Sequence, residues 1–258
     1  MPTGAITGYV DVAQIALYGF WAFFALLVLY LLRENKREGY PLVSDRSGRV
    51  LVQGFPPIPD PKTYLLHDGR RVVSPRHEEP EVLNAVPAAG FPGAPFIPLG
   101  EPLVAGMGPG AWAKRADEPD LTWDDRTAKI VPLRAAPDFF PAAEDADPRG
   151  YMMMGCDGAI AGRVVELWID RSEVVVRYLE VELSLGEATH LVLVPMNFVT
   201  FRHKRQIVHT TFLRAHQFAL VPRTRQADSV TLLEEDKILG FFGGGTLYAM
   251  PGRAESLL

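Results

Sequence analysis

The side chains of this protein with chemistry to offer are its carboxylates. From residue 124 onward, Asp124-Asp125, Asp170, Glu173, Glu180, Glu182 and Glu234-Glu235-Asp236 mark several acidic positions. Carboxyl groups gathered together and partly buried acquire raised, coupled pKa values, and such groups pass protons in steps near neutral pH. The same residues scattered over a surface are solvated charge and nothing more. Composition does not bring them together; only a fold does.

Other chemistries lack their signatures. The six histidines, at 67, 77, 190, 203, 209 and 216, form no H-x-x-x-H or H-E-x-x-H pair, so no metal site is expected. No serine lies in a G-x-S-x-G elbow, so serine-hydrolase chemistry has no support. Gly106-Met107-Gly108-Pro109-Gly110 and Gly243-Gly244-Gly245 lack the Lys-Ser/Thr of a phosphate loop. Pro109 also removes an amide that a phosphate cradle would use. These glycines read as turns or close backbone approaches. The single cysteine, Cys156, excludes an internal disulfide and reads as a small buried apolar residue. No enzyme active site emerges. A net charge of −5 argues against a nucleic-acid binder, which would carry a basic face.

The elements that must position the acids lie mostly after Met152. Ala159–Asp170 and Glu173–Leu183 are β-branched and aromatic runs joined by the turn Asp170-Arg171-Ser172. In the second run Tyr178, Glu180 and Glu182 share one face, and Arg177, Leu179, Val181 and Leu183 the other. His190–Phe201 and Gln206–Phe212 read as two more strands around the basic hairpin Arg202–Arg205, and Leu213–Leu220 as a short helical turn. Together they predict a small antiparallel sheet, closed or nearly so. The apolar spacing of Thr231–Phe242 predicts a helix that Gly243–Gly245 would end.

Before this domain, Pro41 to Pro148 holds 18 of the 22 prolines, which forbids helix over most of its length. A flexible linker would be polar. This stretch instead carries Phe55, Ile58, Phe91, Phe96, Ile97, Leu99, Leu103, Met107 and Trp112, and reads as an extended segment draped over a surface.

At the start, none of the 26 Lys and Arg residues lies in the first 32 positions, and Asp11 is the only charged side chain there. Val12–Leu32 is 21 residues without charge. As a helix it is about 31 Å long, the thickness of a bilayer core. A signal peptide would need a basic start and a small-x-small cleavage site, so a retained transmembrane helix is expected. Arg33, Lys36 and Arg37 follow the span, which places the C-terminal side in the cytoplasm. Tyr9, Tyr30 and Tyr40 suit the two interfaces. Gln14 and Trp21 are seven apart and share one helix face, suggesting packing on another membrane helix; a lone anchor with one tolerated polar residue is the alternative. The expected layout is thus 1–11 periplasmic, 12–32 membrane helix, 33–115 extended cytoplasmic segment, and 116–258 a mainly-β domain with a C-terminal helix.

Nine strings, in order, carry a resemblance: DVAQ (11–14), REGYPL (37–42), PKT (61–63), GPGAW (108–112), KIVPLR (129–134), DPRG (147–150), IAGRVVELWID (160–170), RYLEVEL (177–183) and LLEEDKILGFFGGGTLYA (232–249). Over its whole length the chain resembles the H-subunit family of the purple-bacterial photosynthetic reaction centre. The resemblance implies a single membrane helix, N-terminus periplasmic, in the bacterial inner (chromatophore) membrane, and a cytoplasmic PRC-type barrel. It implies a non-enzymatic subunit that caps the L and M subunits, shields the quinones from water and carries protons to the secondary quinone. The cofactors (bacteriochlorophyll, bacteriopheophytin, quinones, non-haem iron and carotenoid) would be held by L and M, none by this chain. An antenna ring, lipids and an optional cytochrome subunit would be neighbours.

Carried over by position, Glu173 matches the family's relay glutamate, with Asp170 and Arg177 beside it and Glu235 in the same charged network. Asp124 matches an entrance aspartate, with Asp125 as the alternative. Where relatives have histidines just after, this chain has Arg126, Thr127 and Ala128, and Ser229 stands where an acid is frequent. Arg37, Glu38, Tyr40 and Trp112 fall in regions that contact L and M in the family. A different reading is a membrane-anchored PRC-barrel adaptor or assembly protein with another partner.

Overall fold

The computed structural model describes residues 4–7, 11–40, 42–43, 51–75, 83–91, 93–185 and 188–253. Tyr9, Pro41 and His77 lie outside them. Two compact units emerge, Met1–Val82 with Gly90–Ala94, and Leu83–Ala89 with Pro95–Leu258.

In the first unit, helix α1 runs Val12–Glu34, and none of its residues is buried within the chain. It is the one helix, among the described residues, long and apolar enough to cross a membrane. Asp11 opens it with a capping box. Its Oδ1 accepts the Gln14 amide at 2.7 Å, and the Gln14 side chain accepts the Asp11 amide in return. Gln14, the one strongly polar side chain of the span, therefore has a local partner. Trp21 is exposed and makes edge contacts with Phe20 and Phe24.

After α1 come two short hairpins, β1 (Leu42–Val43) with β2 (Leu51–Val52), and β3 (Lys62–Leu65) with β4 (Arg71–Ser74). The basic flank of the helix is built into this unit. Lys36 is buried, and its Nζ donates to the Gln53 and Pro56 carbonyls, both at 2.6 Å. Arg37 donates to both carboxylate oxygens of Glu34 and to the Asp60 and Ser74 carbonyls. Within the chain, Arg37 thus staples the helix end to the Asp60 and Ser74 backbone. Glu38 is exposed, and Tyr40 is half-buried with the Lys36 ammonium 5.1 Å from its ring centre.

The second unit opens with the hairpin β5 (Ala85–Pro87) and β6 (Phe96–Pro98). Its sheet comprises β7 (Ile130–Pro132), β8 (Met152–Met154), β9 (Ile160–Asp170), β10 (Val175–Leu185), β11 (Ala188–Pro195), β12 (Thr200–Arg202) and β13 (Ile207–His209), in the order β11-β10-β9-β8-β13-β12, with β7 also on β9. All pairs are antiparallel except β8 with β13, so the expected small antiparallel sheet is present with one parallel pair within it. The run expected as one strand from His190 to Phe201 is two strands, split by a 3₁₀ turn at Met196–Phe198 that follows Pro195. Pro195 ends the ladder because it has no N–H to donate. In β10 both faces are covered from Tyr178 to Leu183, and the register against β9 shifts just before the stretch and again within it, between Glu180 and Val181. The simple inside–outside alternation expected there is lost for that reason.

The last helix, α2 (Leu232–Tyr248), runs through Gly243–Gly245 instead of ending there. The glycines are contact points. A Cβ on Gly243 would sit 2.8 Å from the Pro109 carbonyl oxygen, and one on Gly244 3.1 Å from Gly110 Cα. The GPGAW turn and the glycine run are therefore two halves of one interface, and packing overrides the poor helix propensity of glycine. Trp168, Phe218, Phe242, Leu103 and Met153 centre the core. Phe198 touches both Phe212 and Phe242.

Candidate functional site

The acids meet at one end of the second unit, where the β9–β10 turn, the loop before β7 and the first turn of α2 come together. Asp170 closes β9 and is fully buried. Its Oδ1 accepts the backbone N–H groups of Ser172 (2.9 Å) and Glu173 (3.1 Å), an arrangement that fixes the turn. Its Oδ2 lies 3.5 Å from Lys129 Nζ and 3.9 Å from Arg177 Nε, with no hydrogen bond to either. A buried carboxylate between two cations is thereby held in place. Lys129 reaches Asp170 because β7 pairs with the end of β9, Ile130 opposite Asp170. The Lys129 ammonium also lies 3.7 Å from Asp120. Glu173, at the tip of the turn, is exposed.

Val174 follows with φ +54°, in the left-handed region, and is 71% exposed. A β-branched residue there is strained. The turn of β9 into β10 is thus set by Asp170 against local preference.

Glu235 enters from α2. The helix start is fixed by a second capping box, Thr231 with Glu234, and by Thr231 Oγ1 donating to Asp117 at 2.9 Å. This puts Glu235 against β10, where Tyr178 Oη donates to its Oε2 at 2.8 Å. Burial pushes the Glu235 carboxyl above the usual carboxylate range. The Tyr178 hydrogen bond and the charge of Arg177 pull it partway back, while Asp120 raises it and Arg115 lowers it. Burial, then the Glu235 charge, push the Tyr178 phenol well above the ordinary tyrosine value, so it keeps its proton and acts as a donor.

The raised Glu235 value has a consequence for stability. Its folded form binds a proton more tightly than the unfolded chain, whose carboxyl titrates near 4.5. Stability from this group is therefore full below that value and is lost as pH rises through the folded value. Glu235→Gln, which still accepts from Tyr178, should melt higher than the parent at about pH 8, and the gap should close by about pH 4. Thermal melts at the two pH values check this; equal melting at pH 8 would remove the buried-charge reading.

Asp124 and Asp125 occupy the loop before β7, and their roles separate. Asp125 Oδ1 accepts from the Thr122 hydroxyl and from the Thr127 hydroxyl (2.7 Å) and amide (3.2 Å). The Thr122 bond first, then those from Thr127, hold its carboxyl down at about 2. Asp124 is exposed and takes part in none of these bonds. The loop is tied to the site by Arg171, which donates to the Thr127 hydroxyl and the Ala128 carbonyl.

Of the expected residues, the fold brings Asp170, Arg177 and Glu235 together, with Glu173 adjoining through its amide. Asp124 lies on the neighbouring loop. Glu180 sits elsewhere, buried against Arg134, and Glu182 is half-buried. Sequence reading missed Lys129, Asp120, Arg115 and Tyr178 as members. Only the Thr231-x-x-Glu234 capping box could have been read in advance, as the device that aims Glu235. Trp112 lies over Gly106, half-shielded, with Lys237 5.9 Å from its ring centre. No group of three or more His, Cys, Asp or Glu side chains suited to a metal occurs among the described residues.

The sequence pattern of the photosynthetic reaction centre H-chain N-terminal region matches residues 4–135. The chain belongs to the reaction centre H-chain family. The PRC-barrel domain pattern matches residues 141–214 of this H chain, from before β8 to the end of the sheet. The first match spans α1 and the proline-rich segment, so the likeness is not confined to the barrel. A photosynthetic, membrane-anchored chain with a PRC-type domain follows, and its association is with the reaction centre complex.

Proposed function

We propose that this H chain caps the cytoplasmic face of the L and M subunits, shields their quinone sites from water and conducts protons through its carboxylates to the secondary quinone. The observation that carries the relay is Asp170. It is a fully buried carboxylate between Lys129 and Arg177, and it accepts the amide of exposed Glu173. Protons are taken up at Asp124, which is exposed and stands outside the Thr122 and Thr127 bonds that lock Asp125. They pass the Asp120–Lys129–Asp170 region, tuned by Glu235, and leave at Glu173, which the turn holds outward for a partner. Removal of water around a reacting quinone preserves it between its two reductions, and the same shield makes a relay necessary.

The pigments, quinones, iron and carotenoid belong to L and M, and this chain ligates none of them and has no active site of its own. Quinone reduction consumes the protons delivered. Flanking charge supports the topology: Arg33 lies in the last turn of α1 and Lys36 and Arg37 just after it, which favours a periplasmic N-terminus and a cytoplasmic β domain.

The test is flash spectroscopy on reaction centres carrying this chain. Glu173→Gln should slow the second, proton-coupled electron transfer to quinone by on the order of tenfold, as expected when one of several proton carriers is removed. Primary charge separation should be unchanged. Asp124→Asn should slow the same step and Asp125→Asn should slow it less. Unaltered second-electron kinetics in Glu173→Gln from about pH 6 to 9 would overturn the relay.

A further inference from the structure

Tyr178 is 3% exposed and sits on β10 in the core, a place a phenylalanine would fill equally well by packing alone. Its hydroxyl needs a partner there, and the partner is a carboxylate on a different element, Glu235 of α2, at 2.8 Å. We propose that Tyr178 is a positioning residue of the relay: this hydrogen bond sets how tightly Glu235 holds its proton, and so the pH range over which protons reach the quinone. The inference rests on the relay reading above.

The surroundings of Glu235 single out this contact. From β10 it faces Arg177 and Tyr178, from the segment before β7 Arg115 and Asp120, and on its own helix Asp236 follows it. The Arg177 and Arg115 side chains are 47% and 51% exposed, so water screens their charges. Asp120 is half-exposed and acts in the opposite sense. Tyr178 alone is buried, directly bonded and fixed by strand packing. It keeps its own proton, so it donates across the working pH range. A hydroxyl donor strengthens when the acceptor is ionised, which favours the carboxylate that burial disfavours. The two side chains line one cleft of about 320 Å³ with Arg177, Asn197 and Leu239, which gives the pair a path to solvent.

Tyr178→Phe keeps the ring and removes the donor. In intact reaction centres, infrared difference spectra would follow the carboxyl band of Glu235, assigned by its loss in Glu235→Gln. The titration midpoint should rise by about one unit, a tenfold gain in proton affinity. The pH profile of the second electron transfer should move to higher pH by the same amount. In the Glu235→Gln background, where that band is absent, Tyr178→Phe should leave the pH profile of the second electron transfer unmoved. An unmoved midpoint would overturn the inference and leave the relay through Glu173 standing. A moved midpoint with unmoved kinetics would overturn the part of Glu235 in the relay, and this inference with it.

Discussion

Gly245→Ala should destabilise this H chain by about 3 kcal/mol, although alanine is the better helix former by about 1 kcal/mol. The reason is geometric. A Cβ on Gly245 would lie 2.2 Å from the Phe212 carbonyl oxygen and 2.9 Å from its carbonyl carbon. Those atoms are backbone and cannot rotate aside. Phe212 stands edge-on to Phe198 at 4.7 Å, and Phe198 packs on Phe242 of α2, so a shift of the Phe212 chain disturbs the aromatic core it belongs to. A well-packed interior transmits such a displacement. Neighbouring positions supply the comparison. At Gly243 and Gly240 the nearest atoms are also backbone, the Pro109 and Ala111 carbonyl oxygens, but at 2.8 and 2.9 Å from the new Cβ the overlap is smaller. Their alanine variants should also be destabilised, but by less than Gly245→Ala, because the gain in helix propensity offsets part of the strain. Urea unfolding of the detergent-solubilised chain gives the three values. If Gly245→Ala proves as stable as the parent, the close approach of α2 to Phe212 is wrong.

The same glycines show where sequence stops being informative. The run Gly243–Gly245 carries a strong local signal for a helix end, and the signal points the wrong way. What overrides it is contact with Gly108–Gly110 and Phe212, which are more than 30 residues distant and leave no trace in the local pattern. Val12–Leu32 is the opposite case, since length and the absence of charge suffice to define a spanning helix, and α1 falls at Val12–Glu34. The strands were legible wherever β-branched runs met turn residues, as at Ile160–Asp170. They were illegible where a proline cut a continuous apolar run, as at Pro195.

The site divides in the same way. Asp170 and Glu173 are three positions apart at one turn, so their proximity is local and could be read. Lys129 meets Asp170 only because β7 lies beside β9, and Tyr178 meets Glu235 only because α2 packs across β10. A pattern along the chain does not encode pairings of that kind. The exposed acid pair shows a third limit. Asp124 and Asp125 are adjacent and chemically identical, and the bonds from the Thr122 and Thr127 hydroxyls and the Thr127 amide distinguish them.

Arg134 offers the second large effect, on the side of the sheet chemistry that the relay does not use. Glu180 and Glu166 are direct cross-strand partners on β10 and β9, and both carboxylates are nearly buried, with 6% and 12% side-chain exposure. Like charges placed opposite one another on a sheet repel. Arg134 reconciles them. Its guanidinium grips both Glu180 oxygens, at 2.6 and 3.4 Å, its own amide donates to Glu166 at 3.2 Å, and its Nε reaches Asp228 at 3.0 Å. Arg149 adds a contact to Glu166 at 3.5 Å. Arg134→Met preserves the stem and deletes the fork, leaving Glu180 buried without its cation. Removing one partner of a buried pair costs about 3–5 kcal/mol. The low end, about 3 kcal/mol, is expected here because the guanidinium is itself partly exposed. Arg134→Lys should recover little, since an ammonium cannot span both Glu180 oxygens. Arg134→Met combined with Glu180→Leu should recover most of the loss, because the stranded charge goes with its partner. Those three variants, unfolded in urea, make the comparison complete. A single Arg134→Met that stays within about 0.5 kcal/mol of the parent would show that Glu180 finds its compensation elsewhere.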